Sequence, residues 1–107
     1  MNTIKLAGVR HPLPLSHIMY VLGDGNYSDA HTDDGKRILS SMTLKTIEGQ
    51  SKGLIRIHKG ALVNPAFIDQ AASHVLLKKR TFAFITMQDG KMLSVARRRW
   101  AMLIAWE

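Results

Sequence analysis

A mainly β domain with two minor helices is the fold this sequence predicts. Three observations lead there. Apolar runs rich in β-branched and aromatic residues recur along the chain, each long enough for a strand and too short for a core helix. Turn signals rich in glycine, asparagine and aspartate separate them. Helical spacing of apolar residues is confined to two stretches. The length fits one domain spanning residues 1–107. A chain of that size buries roughly 60–70% of the surface exposed when unfolded, which leaves little stability to spare.

Ile4 to Val9 reads as a first strand. His11-Pro12-Leu13-Pro14 then breaks any regular element, because neither proline can donate to a ladder. His17 to Leu22 is a second apolar run, closed by a turn at Gly23-Asp24-Gly25-Asn26. Tyr27 to Thr32 and Lys36 to Ser40 flank Asp33-Asp34-Gly35, a hairpin signal. A short helix follows near Thr43 to Gln50, with Leu44 and Ile47 on one face. A second hairpin pairs Thr81 to Met87 with Lys91 to Val95 across Gln88-Asp89-Gly90. The last helix, Arg97 to Trp106, carries Trp100, Leu103 and Ile104 at the spacing of a core-facing stripe, with Ser94 as its N-cap. Trp100, Trp106, Phe82 and Phe84 are expected in the core.

Charge is distributed unevenly. Residues 1–53 hold six basic groups against five acidic, whereas residues 54–107 hold nine against three. The excess falls in Arg56-Ile57-His58-Lys59, Lys78-Lys79-Arg80 and Arg97-Arg98-Arg99. A one-sided basic field points to a polyanion partner. With no cysteine, disulfide and thiolate chemistry are excluded. The first ten residues lack the apolar core of a signal peptide, and no run approaches the ~18 apolar residues of a membrane span. A cytoplasmic location without membrane insertion is therefore expected.

Chemistry for catalysis is not visible. His11, His17, His31, His58 and His74 show no metal-ligand spacing, and hydrogen bonding is their plainer role. Asp33 and Asp34 form a solvated turn, not an acid/base pair. The expectation is a binding module with no enzymatic activity, metal or cofactor.

The segment Leu54-Ile-Arg-Ile-His-Lys-Gly-Ala-Leu-Val-Asn64 narrows the class. It pairs an Arg-x-His step with a strand ending in Val-Asn. Upstream stand Gly25-Asn26-Tyr27, Asp34-Gly35-Lys36 and Met42-Thr43-Leu44-Lys45; downstream come Phe67-Ile68 and Leu93-Ser94-Val95-Ala96-Arg97-Arg98. In order and spacing these motifs resemble the LytTR-type DNA-binding domain, over a core of about residues 17–103. Three positions depart from the pattern: Gly60 stands for a usual Ser, Ala61 for a common aromatic, and Ala96 for Ser. The family's customary receiver domain has no counterpart in the sequence.

The resemblance implies an elongated β-sandwich of about ten short strands with two short helices. It also implies sequence-specific binding of duplex promoter DNA, as a bacterial-type transcriptional regulator in two-component-like signalling. Direct repeats, a dimer on DNA and a regulatory protein partner come with it. Arg97 matches the family's base-reading arginine, and an arginine there can pair bidentately with guanine. The first turn of a helix disfavours cations, a conflict that a nearby phosphate relieves. Lys59 and His58 lie at the loop that reaches DNA, His58 equally as an internal hydrogen-bonding group. Asn26 and Tyr27 lie at the loop entering the other groove, with a positive-φ turn and the core as their alternatives. Arg98, Lys78 and Lys79 are phosphate contacts or surface. Arg56 touches phosphate or pairs internally. Asn64 caps a turn before Pro65. Two other classes compete: a small β module binding RNA or single strands, which needs a stacking platform of aromatics, and a protein-interaction module of a signalling system.

Overall fold

Strand register determines which side chains of this chain are buried. The computed structural model describes residues 3–69, 83–96 and 99. Among them are nine strands: β1 (Thr3–Ile4), β2 (Leu13–Pro14), β3 (Ile18–Asp24), β4 (Tyr27–Thr32), β5 (Arg37–Ser40), β6 (Ile55–His58), β7 (Ala61–Val63), β8 (Ala83–Thr86) and β9 (Met92–Val95). One helix, α1 (Leu44–Gln50), lies between β5 and β6. The central sheet is antiparallel throughout, in the order β5-β4-β3-β7-β6. Two smaller sheets, β1-β2 and β8-β9, complete the mainly β architecture.

Paired residues share a face. Val21 lies opposite both Ala30 and Leu62, and Ala30 lies opposite Ile38. These residues pack with Ile18, Leu44 and Ile47, and with Ile4 and Leu6 of the N-terminal segment. The helix and the first residues therefore cover one face of the central sheet. On the other face Tyr20, Val63 and Ile55 lie in register and meet Ile85, Met87, Leu93 and Val95 of the β8-β9 hairpin. Fully burying a side chain such as Ile57 or Leu62 contributes about 1.5–3 kcal/mol.

The helix begins where the sequence predicts. Thr43 accepts a hydrogen bond from Thr46 N at 3.3 Å, and Leu44 and Ile47 are buried. The β4-β5 hairpin turns at Asp33-Asp34-Gly35, with Gly35 at φ 85°. Asn64 caps the turn Pro65–Phe67 through Ala66 N, and its amide donates to the carbonyls of Leu15 and Ile18.

Several expectations need correction. Of the run expected from Ile4 to Val9 only Ile4 pairs, together with Thr3 before it, and their partners are Leu13 and Pro14, a segment expected to break any element. An edge position tolerates a proline because its missing N–H leaves no ladder bond unmade. β3 runs on through Gly23 and Asp24, which pair with Ser28 and Tyr27, so the turn is reduced to Gly25 and Asn26. A Cβ at Gly23 would lie 2.4 Å from Leu44 Cγ, so strand and helix meet there only because the side chain is absent. Ser94 lies inside β9, opposite Phe84, and is not a helix cap. Phe84 is half-buried. The last predicted helix with its stripe, and the core placements of Phe82, Trp100 and Trp106, lie outside the described residues.

Candidate nucleic-acid interface

Antiparallel pairing brings separate turns to one end of the molecule. β3 leads into the Gly25-Asn26 turn, and Gly25 takes φ 64°. β7 runs antiparallel beside β3, with Leu22 opposite Ala61. The Lys59-Gly60 turn that precedes β7 must then emerge next to Gly25-Asn26. Gly23 N donates to Gly60 O at 2.9 Å and joins the two turns. A third segment arrives from β9, where Ala96 N donates to Ile57 O and Arg99 N returns to Ala96 O. Arg99 Nη1 reaches toward Arg56 O at 3.5 Å.

The Lys59 turn is held from inside. Arg56 donates from Nε to His58 O at 2.9 Å and from Nη2 to Lys59 O at 2.6 Å. Its Nη1 meets Glu48 Oε1 of α1 at 2.9 Å. Gly60 N donates to His58 Nδ1 at 2.9 Å, which makes that nitrogen an acceptor. Burial first, then the charges of Arg56 and Lys59, hold His58 below its ordinary value and favour the neutral ring this bond requires. A Cβ at position 60 would lie 3.1 Å from His58 Cε1, so glycine lets the imidazole lie against the turn. Lys59 itself is exposed.

The neighbouring sheet face has its own polar network. Tyr20 and His31 stack with ring centroids 4.5 Å apart, and Tyr20 Oη donates to Asp89 Oδ2 at 2.7 Å. Burial and the bond to Asp89 push the Tyr20 phenol up. Burial holds His31 below its ordinary value despite Asp29, whose Oδ2 is 3.6 Å from His31 Nε2, beyond hydrogen-bonding reach. Arg37 binds the same Asp29 carboxylate, which raises the Arg37 value further.

The LytTr DNA-binding domain family matches residues 9–106. This chain belongs to the LytTR family of DNA-binding domains. Its fold is similar to that of the LytTr DNA-binding domain of a Bacillus cereus protein described as a methyl-accepting/DNA response regulator. That likeness has a TM-score of 0.71 at 18% identity, over 96% of this chain and 92% of the other. No curated protein matches the chain. The family is one of DNA-binding domains and, in general terms, of transcription regulators; it is not an enzyme family. Among the described residues no helix is long and apolar enough to cross a membrane, and no three-residue group of metal ligands occurs.

Within this LytTR domain Asn26, Tyr27, Arg56, His58 and Lys59 share one end. Tyr27 is 56% exposed, which removes the core alternative. Arg56 is mostly enclosed, and of its two readings the internal pairing is the one observed. Arg97, Arg98, Lys78 and Lys79 lie outside the described residues. Glu48 and Gly23 were not anticipated at this end. Gly23 was read only as part of a turn and Glu48 carried no signal, because the partners of both, Gly60 and Arg56, lie on other elements.

Proposed function

We propose that this LytTR domain binds duplex promoter DNA sequence-specifically, as a cytoplasmic transcription regulator. The observation that carries the reading is the convergence of two hairpin turns and the chain leaving β9 at one end. Lys59 projects from a turn whose carbonyls are already bonded, so its position is set before DNA arrives. Its ammonium binds a phosphate or guanine. Asn26 and Tyr27 enter the adjacent groove, and the neutral His58 offers Nε2–H as a donor. Arg97 reads a base, while Arg98, Lys78 and Lys79 neutralise phosphates. Arg56 is withdrawn from the set of direct contacts, since its guanidinium is engaged within the protein.

Binding to direct repeats, one domain per repeat and dimeric on DNA, fits this mode. A regulatory protein partner completes the scheme. The Bacillus cereus domain belongs to a protein described as a response regulator, which supports a signalling context of the two-component kind. Among the described aromatics only Tyr27 is exposed, and one ring does not make a single-strand stacking platform.

Competition among duplex DNA, single-stranded DNA and RNA at one fixed salt tests the reading. Duplex is expected to win, with log K falling by ~0.9 per log unit of salt for each phosphate neutralised. Preference for a single strand, or a duplex affinity indifferent to salt, would sink it.

A further inference from the structure

We propose that Glu48 and Arg56 form a strut that sets the DNA-reading turn, so that both are positioning residues acting through Lys59. The inference rests on the DNA-binding reading of the previous subsection. Glu48 stands on α1, and Arg56 stands on β6 opposite Leu62, on the sheet face that the helix covers. The side chain of Arg56 is 16% exposed and that of Glu48 36%. The pair is therefore shielded in a way that exposed ion pairs are not.

Geometry separates this role from a direct contact. The guanidinium sends three bonds of 2.6–2.9 Å in three directions: to Glu48 Oε1, His58 O and Lys59 O. Charge-assisted bonds of this kind are about twice as strong as neutral ones. Two of them fix successive carbonyls of the turn and so fix the peptide on which Lys59 is carried. The Gly60 amide is taken by His58 and the Gly60 carbonyl by Gly23, so the same turn is locked to the Gly25-Asn26 hairpin. Glu48 neutralises the half-buried cation and aims its fork. Lysine cannot replace arginine here, because one ammonium on a flexible stem cannot meet three acceptors in a fixed fork.

The two roles predict opposite signs. If Arg56 touched phosphate, Glu48→Ala would free it and raise the net charge by one from +7, and binding would tighten. Arg56→Lys, which keeps the charge, would then matter little. A strut predicts the reverse. Both variants should lose roughly tenfold in affinity for the specific duplex and clearly less for scrambled duplex. In a Lys59→Ala background the further loss from Glu48→Ala should largely vanish.

The experiment measures duplex affinity at fixed salt for Glu48→Ala, Arg56→Lys, Lys59→Ala and the Glu48→Ala/Lys59→Ala double variant, all at a temperature where each is folded. Amide hydrogen exchange at Gly23 and Gly60 is followed alongside. Faster exchange at both amides in Glu48→Ala, with the affinity losses above, is the expected result. Unchanged or tighter binding by Glu48→Ala would overturn the strut, as would losses that simply add to those of Lys59→Ala. If the parent fails to bind duplex at all, the DNA-binding reading falls. The strut then stands on faster Gly23 and Gly60 exchange, and unchanged exchange overturns it.

Discussion

Replacing Asn64 with alanine should cost about 2–4 kcal/mol, more than most single substitutions of a polar residue. The residue is 7% exposed at the end of β7, and its side chain makes three bonds. Nδ2 donates to Leu15 O at 3.1 Å and Ile18 O at 2.9 Å, and Oδ1 accepts from Ala66 N at 3.1 Å. Each is worth about 1 kcal/mol net, and buried groups left without a partner add a desolvation cost. Asn64→Asp is the sharper probe. It keeps the acceptor for Ala66 but turns a carboxylate oxygen toward two carbonyl oxygens in place of the donor. The near-isosteric aspartate should therefore be worse than alanine at neutral pH. Urea unfolding measures both. With m about 1–3 kcal/mol per molar, the midpoint should fall on the order of 1–2 M for alanine with m unchanged. An alanine variant within a few tenths of a kcal/mol of the parent, or an aspartate variant milder than alanine, would show that Asn64 does not tie β7 to the entry of β3.

Three further outcomes are expected. Gly23→Ala should destabilise by about 1–3 kcal/mol because its Cβ would meet Leu44 Cγ at 2.4 Å, and Leu44→Ala should recover part of that; a neutral Gly23→Ala in urea unfolding would contradict the contact. His31 and His58 are both held below their ordinary value, so the unfolded chain takes up protons first. Stability is then fully present above about pH 6.5 and is lost as pH falls through the folded-state values, with His31→Phe flattening the decline; urea midpoints that rise on acidification would refute the sign. Arg97→Ala should cost ~1–3 kcal/mol on the specific duplex and relax preference at one base position, whereas Arg99→Ala, identical in charge change, should weaken specific and scrambled duplex about equally; an unchanged specificity ratio in Arg97→Ala would reduce Arg97 to a positioning role.

Elements whose causes are local were legible in the sequence. Thr43 caps α1 through a neighbour three residues on, Leu44 and Ile47 bury its inner face, and Asp33-Asp34-Gly35 reverses the chain. The ordered motifs from Gly25 to Arg98 were enough to indicate the LytTR family, because spacing along the chain is a sequence property. Elements whose causes are distant were not legible. Gly23-Asp24 has the composition of a turn, yet it pairs as strand because β4 continues opposite it. Leu13-Pro14 resembles a breaker, yet it finds an edge partner in Thr3 and Ile4. Ser94 suits a helix cap, yet its ladder partner Phe84 keeps it in β9.

The candidate site divides in the same way. Sequence by itself determined the basic bias of residues 54–107, the mainly β class and the residues to inspect at 26–27 and 56–59. Only the tertiary structure placed those turns side by side, since the β6-β7 hairpin joins the sheet through β7 beside β3 and not next to β5, the strand that precedes the hairpin in the chain. It also turned Arg56 inward and left Tyr27 outside. The physical reason is that a side chain's charge is written in its chemistry, whereas its direction follows from the partners that register and packing bring within reach: Glu48, eight residues back along the chain, lies 2.9 Å from the Arg56 guanidinium.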